Sequence, residues 1–252
     1  MEVKQKIWIV GGSSGIGLEL VKILLANDHF IIVSSRNASK SETLQALQNK
    51  YQSNLYLLDI DVKQDDFSQV VGEVWSVYGG LDIWFYNVGS YEVMGLDEWD
   101  KQKFIKMNET NYLGAVKIMN DILPFFRIQK GGRWIWNLSL SSYFGLPKGG
   151  GYSAPKAALL NLAQSIQPEL SNENINLQVI NHGFVKTRLT AKNDFDMPQL
   201  MSPELCAKKI YEGMKNENSF EIKFPFGLGS FLWFLSFLPY KLSLGITKKM
   251  LR

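Results

Sequence analysis

The chain has 252 residues, of which 46% are hydrophobic, 20% charged and 13% aromatic, enough apolar material for one large domain. With 21 glycines and 8 prolines it is too poor in both for global disorder, and its one cysteine, Cys206, excludes an internal disulfide framework. Only two histidines, His29 and His182, stand far apart, so no zinc site is expected. The net charge of +3 is uneven: Lys223, Lys241, Lys248, Lys249 and Arg252 have no acid among them from Ile222 onward, and the body before them is slightly acidic. Such a body gives no reason to expect a nucleic-acid surface.

Lys6–Val10 is a short apolar run and predicts a strand. It is too short for the apolar core of a secretory signal, so a cytoplasmic protein is expected. A glycine-rich turn follows, and then a helix over Gly15–Ala26. The alternation continues with a strand at Phe30–Ser35, a helix at Ser39–Tyr51, a strand at Leu55–Leu58 and a helix at Asp66–Tyr78. Leu81–Tyr86 reads as strand, Asp100–Leu123 as one long helix, Arg133–Ser139 as strand, Tyr152–Glu169 as helix and Ile175–Asn181 as strand. Ser202 and Pro203 cap a further helix to about Lys215. Phe220–Phe224 closes the series as the last strand. Short apolar strands separated by helices predict parallel strands buried on both faces, a Rossmann-like doubly wound α/β sheet over 1–224.

The turn Val10-Gly11-Gly12-Ser13-Ser14-Gly15-Ile16-Gly17 places glycines at G-x-x-x-G-x-G between strand and helix. Glycine lets backbone approach a diphosphate closely, and the helix N-terminus offers N–H groups to the anion. Gly11, Ser13, Ser14, Gly15, Ile16 and Gly17 are therefore candidate dinucleotide contacts. A glycine-rich loop without a ligand is the blander alternative. The second strand ends at Val33-Ser34-Ser35-Arg36-Asn37, with no carboxylate to grip a ribose 2′-hydroxyl. Arg36 suits a 2′-phosphate instead, so NADP(H) is expected over NAD(H).

Tyr152-Ser153-Ala154-Pro155-Lys156 supplies Y-x-x-x-K on a helix, and Ser139 lies 13 residues before the tyrosine. With the glycine turn, these residues resemble the short-chain dehydrogenase/reductase family over roughly residues 6–224. Asn87 and Gly89, in Tyr86-Asn87-Val88-Gly89, look like that family's N-N-A-G segment. Asp61-Val62 looks like its adenine-side pair, with Asp59 as a rival register. Asn111 matches its helical asparagine. Asn181-His182-Gly183-Phe184-Val185-Lys186-Thr187 resembles N-P-G-x-V-x-T, which implies Val185 and Thr187 at the nicotinamide carboxamide. Val10, His182 and Pro155 replace the usual threonine, proline and serine. Ser141 and Ser142 compete with Ser139 for the serine register.

The resemblance implies hydride transfer between nicotinamide and a carbonyl/alcohol pair, usually in a homodimer or homotetramer. Tyr152 would be the acid, Ser139 would hydrogen-bond the carbonyl, Lys156 would hold the ribose, and Asn111 would position a water linking Lys156 to solvent. Lys156, one helical turn from Tyr152, is expected to lower the phenol's pKa. A sensor that binds the nucleotide without turnover, or a membrane-associated regulatory module on the same fold, is the alternative. The apolar segment Arg188–Met201, with Leu189, Phe195, Met197, Leu200 and Met201, suits a lid over a lipophilic substrate.

The extension 225–252 is apolar and basic. Phe224 through Tyr240 carries no charge, yet Pro225, Gly227, Gly229 and Pro239 break it below the ~20 residues a span needs. Three placements stay open: a membrane surface, the chain's own body, or a partner subunit.

Overall fold

The computed structural model describes residues 3–251; Arg252, the last tail cation, lies outside the described residues. The strands are β1 (Lys6–Val10), β2 (Phe30–Ser35), β3 (Leu55–Asp59), β4 (Ile83–Tyr86), β5 (Gly132–Asn137), β6 (Ile175–His182) and β7 (Glu221–Phe224). The helices are α1 (Gly15–Ala26), α2 (Glu42–Tyr51), α3 (Ser68–Val77), α4 (Lys101–Asn108), α5 (Gly114–Gln129), α6 (Gly150–Asn172), α7 (Pro203–Met214), α8 (Phe226–Leu235) and α9 (Tyr240–Lys248). The strands form one sheet in the order β3-β2-β1-β4-β5-β6-β7, with every neighbour parallel.

Both sheet faces are apolar because the pleat sends alternate side chains to opposite sides. In β1, Ile7 and Ile9 join a core with Leu20 and Leu24 of α1, Leu44 of α2 and Ile210 of α7. Trp8 and Val10 join the opposite core with Val71 of α3, Ile118 and Phe126 of α5 and Leu159 of α6. Trp84, Trp134 and Trp136 join Trp8 on that second face, with Trp84 edge-on to Trp134 at 5.3 Å and to Trp136 at 6.0 Å. The strand order reverses direction at β1 and β4, and their carboxyl ends border the crevice of a doubly wound sheet.

Two expected helices differ in ways that matter for the site. The single helix expected over Asp100–Leu123 is two, α4 and α5, joined by a π-helical turn at Glu109–Leu113. Apolar periodicity runs through that turn and does not mark it. The helix expected to start at Tyr152 starts at Gly150. Pro155 therefore lies two residues further in, where its missing N–H deprives the Gly151 carbonyl of a helical partner. Smaller differences fall at the edges: α2 begins at Glu42 after Ser41, whose hydroxyl accepts from Leu44 N, and β4 begins at Ile83.

In the extension, α8 and α9 fold back on the body. Leu232 and Leu235 are buried with Leu140, and Ile246 packs beside them. Gln199 Oε1 accepts from Leu228 N at 2.9 Å and ties α8 to the segment after β6.

Leu24 of α1 is almost fully buried in the first core. Leu24→Ala should lower the unfolding free energy by about 2–5 kcal/mol, read as a lower urea midpoint with unchanged slope.

Candidate active site

One cavity of about 1490 Å³ runs along the carboxyl ends of the strands. At one end lie Gly11, Ser13, Ser14, Gly15 and Ile16 of the glycine turn, with Arg36, Asp61 and Val62. Ser14 forms no side-chain cap on α1, so the first N–H groups of that helix keep their capacity for an outside acceptor. Gly17 lies beneath the turn. A Cβ there would sit 2.2 Å from the Gly11 carbonyl oxygen and 2.6 Å from Asn87 Nδ2, so no other residue fits. Gly11 has φ of +94°, and a Cβ on it would approach the Asn87 backbone to 3.0 Å. This close-packed turn, with its open helix end, is an anion cradle by shape and by donor chemistry.

Arg36 is exposed at the rim of the cavity, and among the described residues no carboxylate pairs with it. Asp59 and Asp61 divide clearly. Asp59 turns to Ser39, accepting from its N–H at 2.8 Å and its hydroxyl at 2.5 Å. Asp61 and Val62 line the cavity and Asp59 does not.

A chain of hydrogen bonds fastens the middle of the cavity. Asn87 Nδ2 donates to Gly11 O at 2.7 Å, Asn137 Nδ2 donates to Asn87 Oδ1 at 2.7 Å, and Lys156 Nζ donates to Asn137 O at 2.8 Å. Asn137 was not legible as a site residue from any motif weighed above. Its signal is a polar side chain ending the apolar run of β5, directed where strands deliver functional groups.

Tyr152 and Lys156 lie on one face of α6, with the ammonium 5.9 Å from the centre of the phenol ring. Ser139 begins the turn after β5, and its hydroxyl contacts the Tyr152 side chain. Ser141 also lines the cavity and donates its hydroxyl to Ser139 Oγ at 3.1 Å. Ser142 turns away to Asn181 Oδ1 at 2.9 Å and is buried. Asn111 is fully buried in the π turn and pairs twice with Ser90, accepting from its N–H at 2.7 Å and donating to its carbonyl at 2.8 Å. Its amide is thus committed to fastening the loop after β4. That loop carries Gly89, whose Cβ position lies 3.9 Å from Asn111 Oδ1.

Tyr91, on the same loop, meets the Tyr152 ring edge-on at 5.3 Å and donates to Asn193 Oδ1 at 2.7 Å. No motif marks it. Val185 and Thr187 line the cavity, and Thr190 braces their turn by donating to Val185 O at 2.6 Å and accepting from Thr187 N at 3.0 Å.

The electrostatics differ from the expected lowering of the phenol pKa. Burial pushes Tyr152 up to about 12, opposed by the Ser139 hydroxyl. Burial also brings Lys156 down to about 7. Desolvation outweighs mutual charge stabilisation because Lys156 directs its ammonium to a carbonyl rather than to the phenol oxygen. His182, at the proline position of the resembled motif, is pushed down to about 4, by burial first and then by the Lys156 charge. Its Nδ1 lies 2.7 Å from Gly183 O and must carry a proton to donate there.

From the segment expected to be a lid, the apolar Leu189, Phe195 and Pro198 line the cavity beside the charged Arg188, Lys192, Asp194 and Asp196. Met201 instead enters the core, and Leu200 is exposed. The opposite wall comes from the extension: Leu228, Phe231, Leu232, Met250 and Leu251.

A parallel sheet with this crevice at its strand reversal defines a Rossmann-like α/β protein of the oxidoreductase kind. A family model described as short chain dehydrogenase matches residues 5–197, and the chain belongs to that family. An uncharacterized oxidoreductase of Staphylococcus haemolyticus is 29% identical over 80% of this chain and 87% of its own. A short-chain dehydrogenase from Streptomyces avermitilis superposes with a TM-score of 0.83 at 19% identity, over 98% of both chains. The L-sorbose reductase of Gluconobacter frateurii, solved with NADPH and L-sorbose, gives a TM-score of 0.71 at 26% identity, over 82% of this chain and 89% of its own.

His182 yields a pH prediction. Its ordinary pKa is 6.5 and its folded value about 4, so the unfolded chain takes up the proton first as pH falls. Stability should therefore be lost between pH 6.5 and about 4, on the order of 2–3 kcal/mol from this group. His182→Gln should flatten that part of the decline, measured as urea midpoints against pH beside the wild type.

Proposed function

We propose that the protein is an NADPH-dependent reductase of a lipophilic ketone or aldehyde. The observation that carries this reading is one cavity that joins an anion cradle, a tyrosine–serine–lysine cluster and apolar lining residues. The residues present fit the dinucleotide. Gly11 through Gly17 and the N-terminus of α1 hold the diphosphate, Arg36 the 2′-phosphate, and Asp61 and Val62 border the adenine. Asn87 and Gly89, which line the cavity between the glycine turn and Tyr152, would contact the dinucleotide there, and Val185 and Thr187 would hold the carboxamide. The L-sorbose reductase that resembles this chain is bound to NADPH, which supports the same cofactor here.

When bound, the nicotinamide supplies the hydride to the carbonyl carbon. Ser139 donates a hydrogen bond to the carbonyl oxygen and orients it toward Tyr152. Negative charge grows on that oxygen, and the Tyr152 hydroxyl delivers the proton. A phenol with its pKa pushed up to about 12 holds its proton at neutral pH and so is in the state that can donate it. Lys156, anchored on Asn137 O, would hold the nicotinamide ribose. Asn111 acts through Ser90: it is a positioning residue for the loop that carries Gly89 and Tyr91. The apolar lining residues Phe195, Phe231 and Leu251 suit a hydrocarbon body, with Arg188, Lys192, Asp194 and Asp196 in the same cavity for any polar substituent.

Tyr152→Phe should lower kcat for reduction of an aliphatic ketone by about 10²–10⁴-fold while NADPH binding, followed by its fluorescence, persists. Full activity in that variant would end the proposed mechanism. Arg36→Ala should lower kcat/KM for NADPH by about 10–100-fold and leave NADH use nearly unchanged. An unaltered NADPH/NADH ratio would remove Arg36 from cofactor choice.

A further inference from the structure

The C-terminal helices show an inversion that neither the crevice nor the core explains. Every residue of α8 is apolar, glycine or serine, yet only one stripe, Gly229, Leu232 and Leu235, is buried, while Trp233 on the outer side meets Phe237 at 4.5 Å and the Lys223 ammonium at 5.5 Å. On its other side Phe226, Trp233 and Phe234 are 83%, 47% and 55% exposed, and Phe237 beyond it 65%. In α9 the order is reversed outright. Ser243 and Thr247 face inward and are buried, while Tyr240, Leu242 and Leu244 are 78%, 55% and 56% exposed. A helix that is apolar all round belongs in a core or in lipid, and a helix that hides hydroxyls while showing leucines is not built for water.

The charge of this face selects among occupants. Lys241, Lys248 and Lys249 are exposed around the apolar surface, and no acid occurs from Ile222 onward. A second copy docking by the same face would bring these lysines together with nothing to neutralise them. No helix among the described residues is long and apolar enough to cross a membrane. Aromatic and aliphatic side chains beside unopposed lysines match the interface of a bilayer with anionic headgroups.

We propose that the outer face of α8 and α9 docks the protein on an anionic lipid surface, lying on the bilayer without crossing it. Phe226, Trp233, Phe234 and Phe237 enter the headgroup boundary, and Lys241, Lys248 and Lys249 meet the phosphates. None of these seven residues lines the cavity. The proposal is read without turnover, so it stands or falls separately from the proposed reduction.

The test is flotation of the full chain with two vesicle types, phosphatidylcholine alone and phosphatidylcholine mixed with phosphatidylglycerol. The wild type should float with the mixed vesicles, float poorly with the neutral ones, and lose binding as salt is raised. Two variants carry the argument: Phe234→Ser with Phe237→Ser, and Lys241→Glu with Lys248→Glu and Lys249→Glu. Each lysine near the surface is worth about fivefold, so the triple variant, which reverses three charges, should lose at least about 100-fold in partitioning while its thermal melt is unchanged. If the phenylalanine variant fails to fold, the lysine variant decides alone. Failure of the wild type to float with the mixed vesicles, or flotation of the lysine variant equal to wild type, would overturn the proposal. So would sedimentation equilibrium showing a lipid-free dimer that the Phe234 and Phe237 substitutions dissociate, since the face would then belong to a second copy.

Discussion

Two asparagine side chains hold the cavity in register. Asn87 reaches the Gly11 carbonyl, Asn137 reaches Asn87, and the Asn137 carbonyl receives Lys156. The ends of β1, β4 and β5 and the lysine of α6 are thereby fastened in one line across the strand reversal. This is the place where a parallel sheet leaves backbone groups without strand partners and where a crevice must stay open. An amide side chain suits it because it can both donate and accept, as Asn87 does here; Asn137 donates through its side chain and accepts through its backbone carbonyl. The same line fixes how far the glycine turn stands from the tyrosine. Phosphate cradle and proton donor then keep one separation, whatever happens in the loops above.

Burial governs the chemistry at the centre. Tyr152 and Lys156 are both shifted toward their neutral forms, the phenol upward and the ammonium downward. A phenol in that state is a proton reservoir and a poor base. His182 sharpens the effect, since it too is held neutral and adds no second cation beside Lys156. A proline at this position would leave the backbone carbonyl of Gly183 without its imidazole partner.

Much of this arrangement was legible in the residues alone. The strands declared themselves because each is an unbroken apolar run, and two-sided burial in a parallel sheet demands that pattern. The glycine turn was legible because its sterics tolerate nothing else, as the 2.2 Å approach at Gly17 makes plain. The ambiguity between Asp59 and Asp61 had to wait for geometry, because two residues of register reverse nothing in the pattern. Tyr91 was invisible: its role comes from an edge-on contact with Tyr152 across 61 positions of sequence. The extension's contribution to the cavity wall was equally hidden. An apolar tail announces that it will be covered, and says nothing of what by.

The π turn between α4 and α5 sets a rule of phase for this part of the chain. Met107 on one side and Ala115 on the other are both fully buried, and Asn111 between them meets Ser90. The turn at Glu109–Leu113 winds wider than the helix on either side and holds one residue more than the α-helical turn it replaces, so both halves keep their phase. Loss of a single codon there would close the stretch as an uninterrupted α-helix with both flanks still facing the interior. A deletion in α4 or α5 outside the turn has no such slack and rotates one half against the other by about 100°. The turn is thus the one place in this stretch where a change of length is absorbed rather than transmitted.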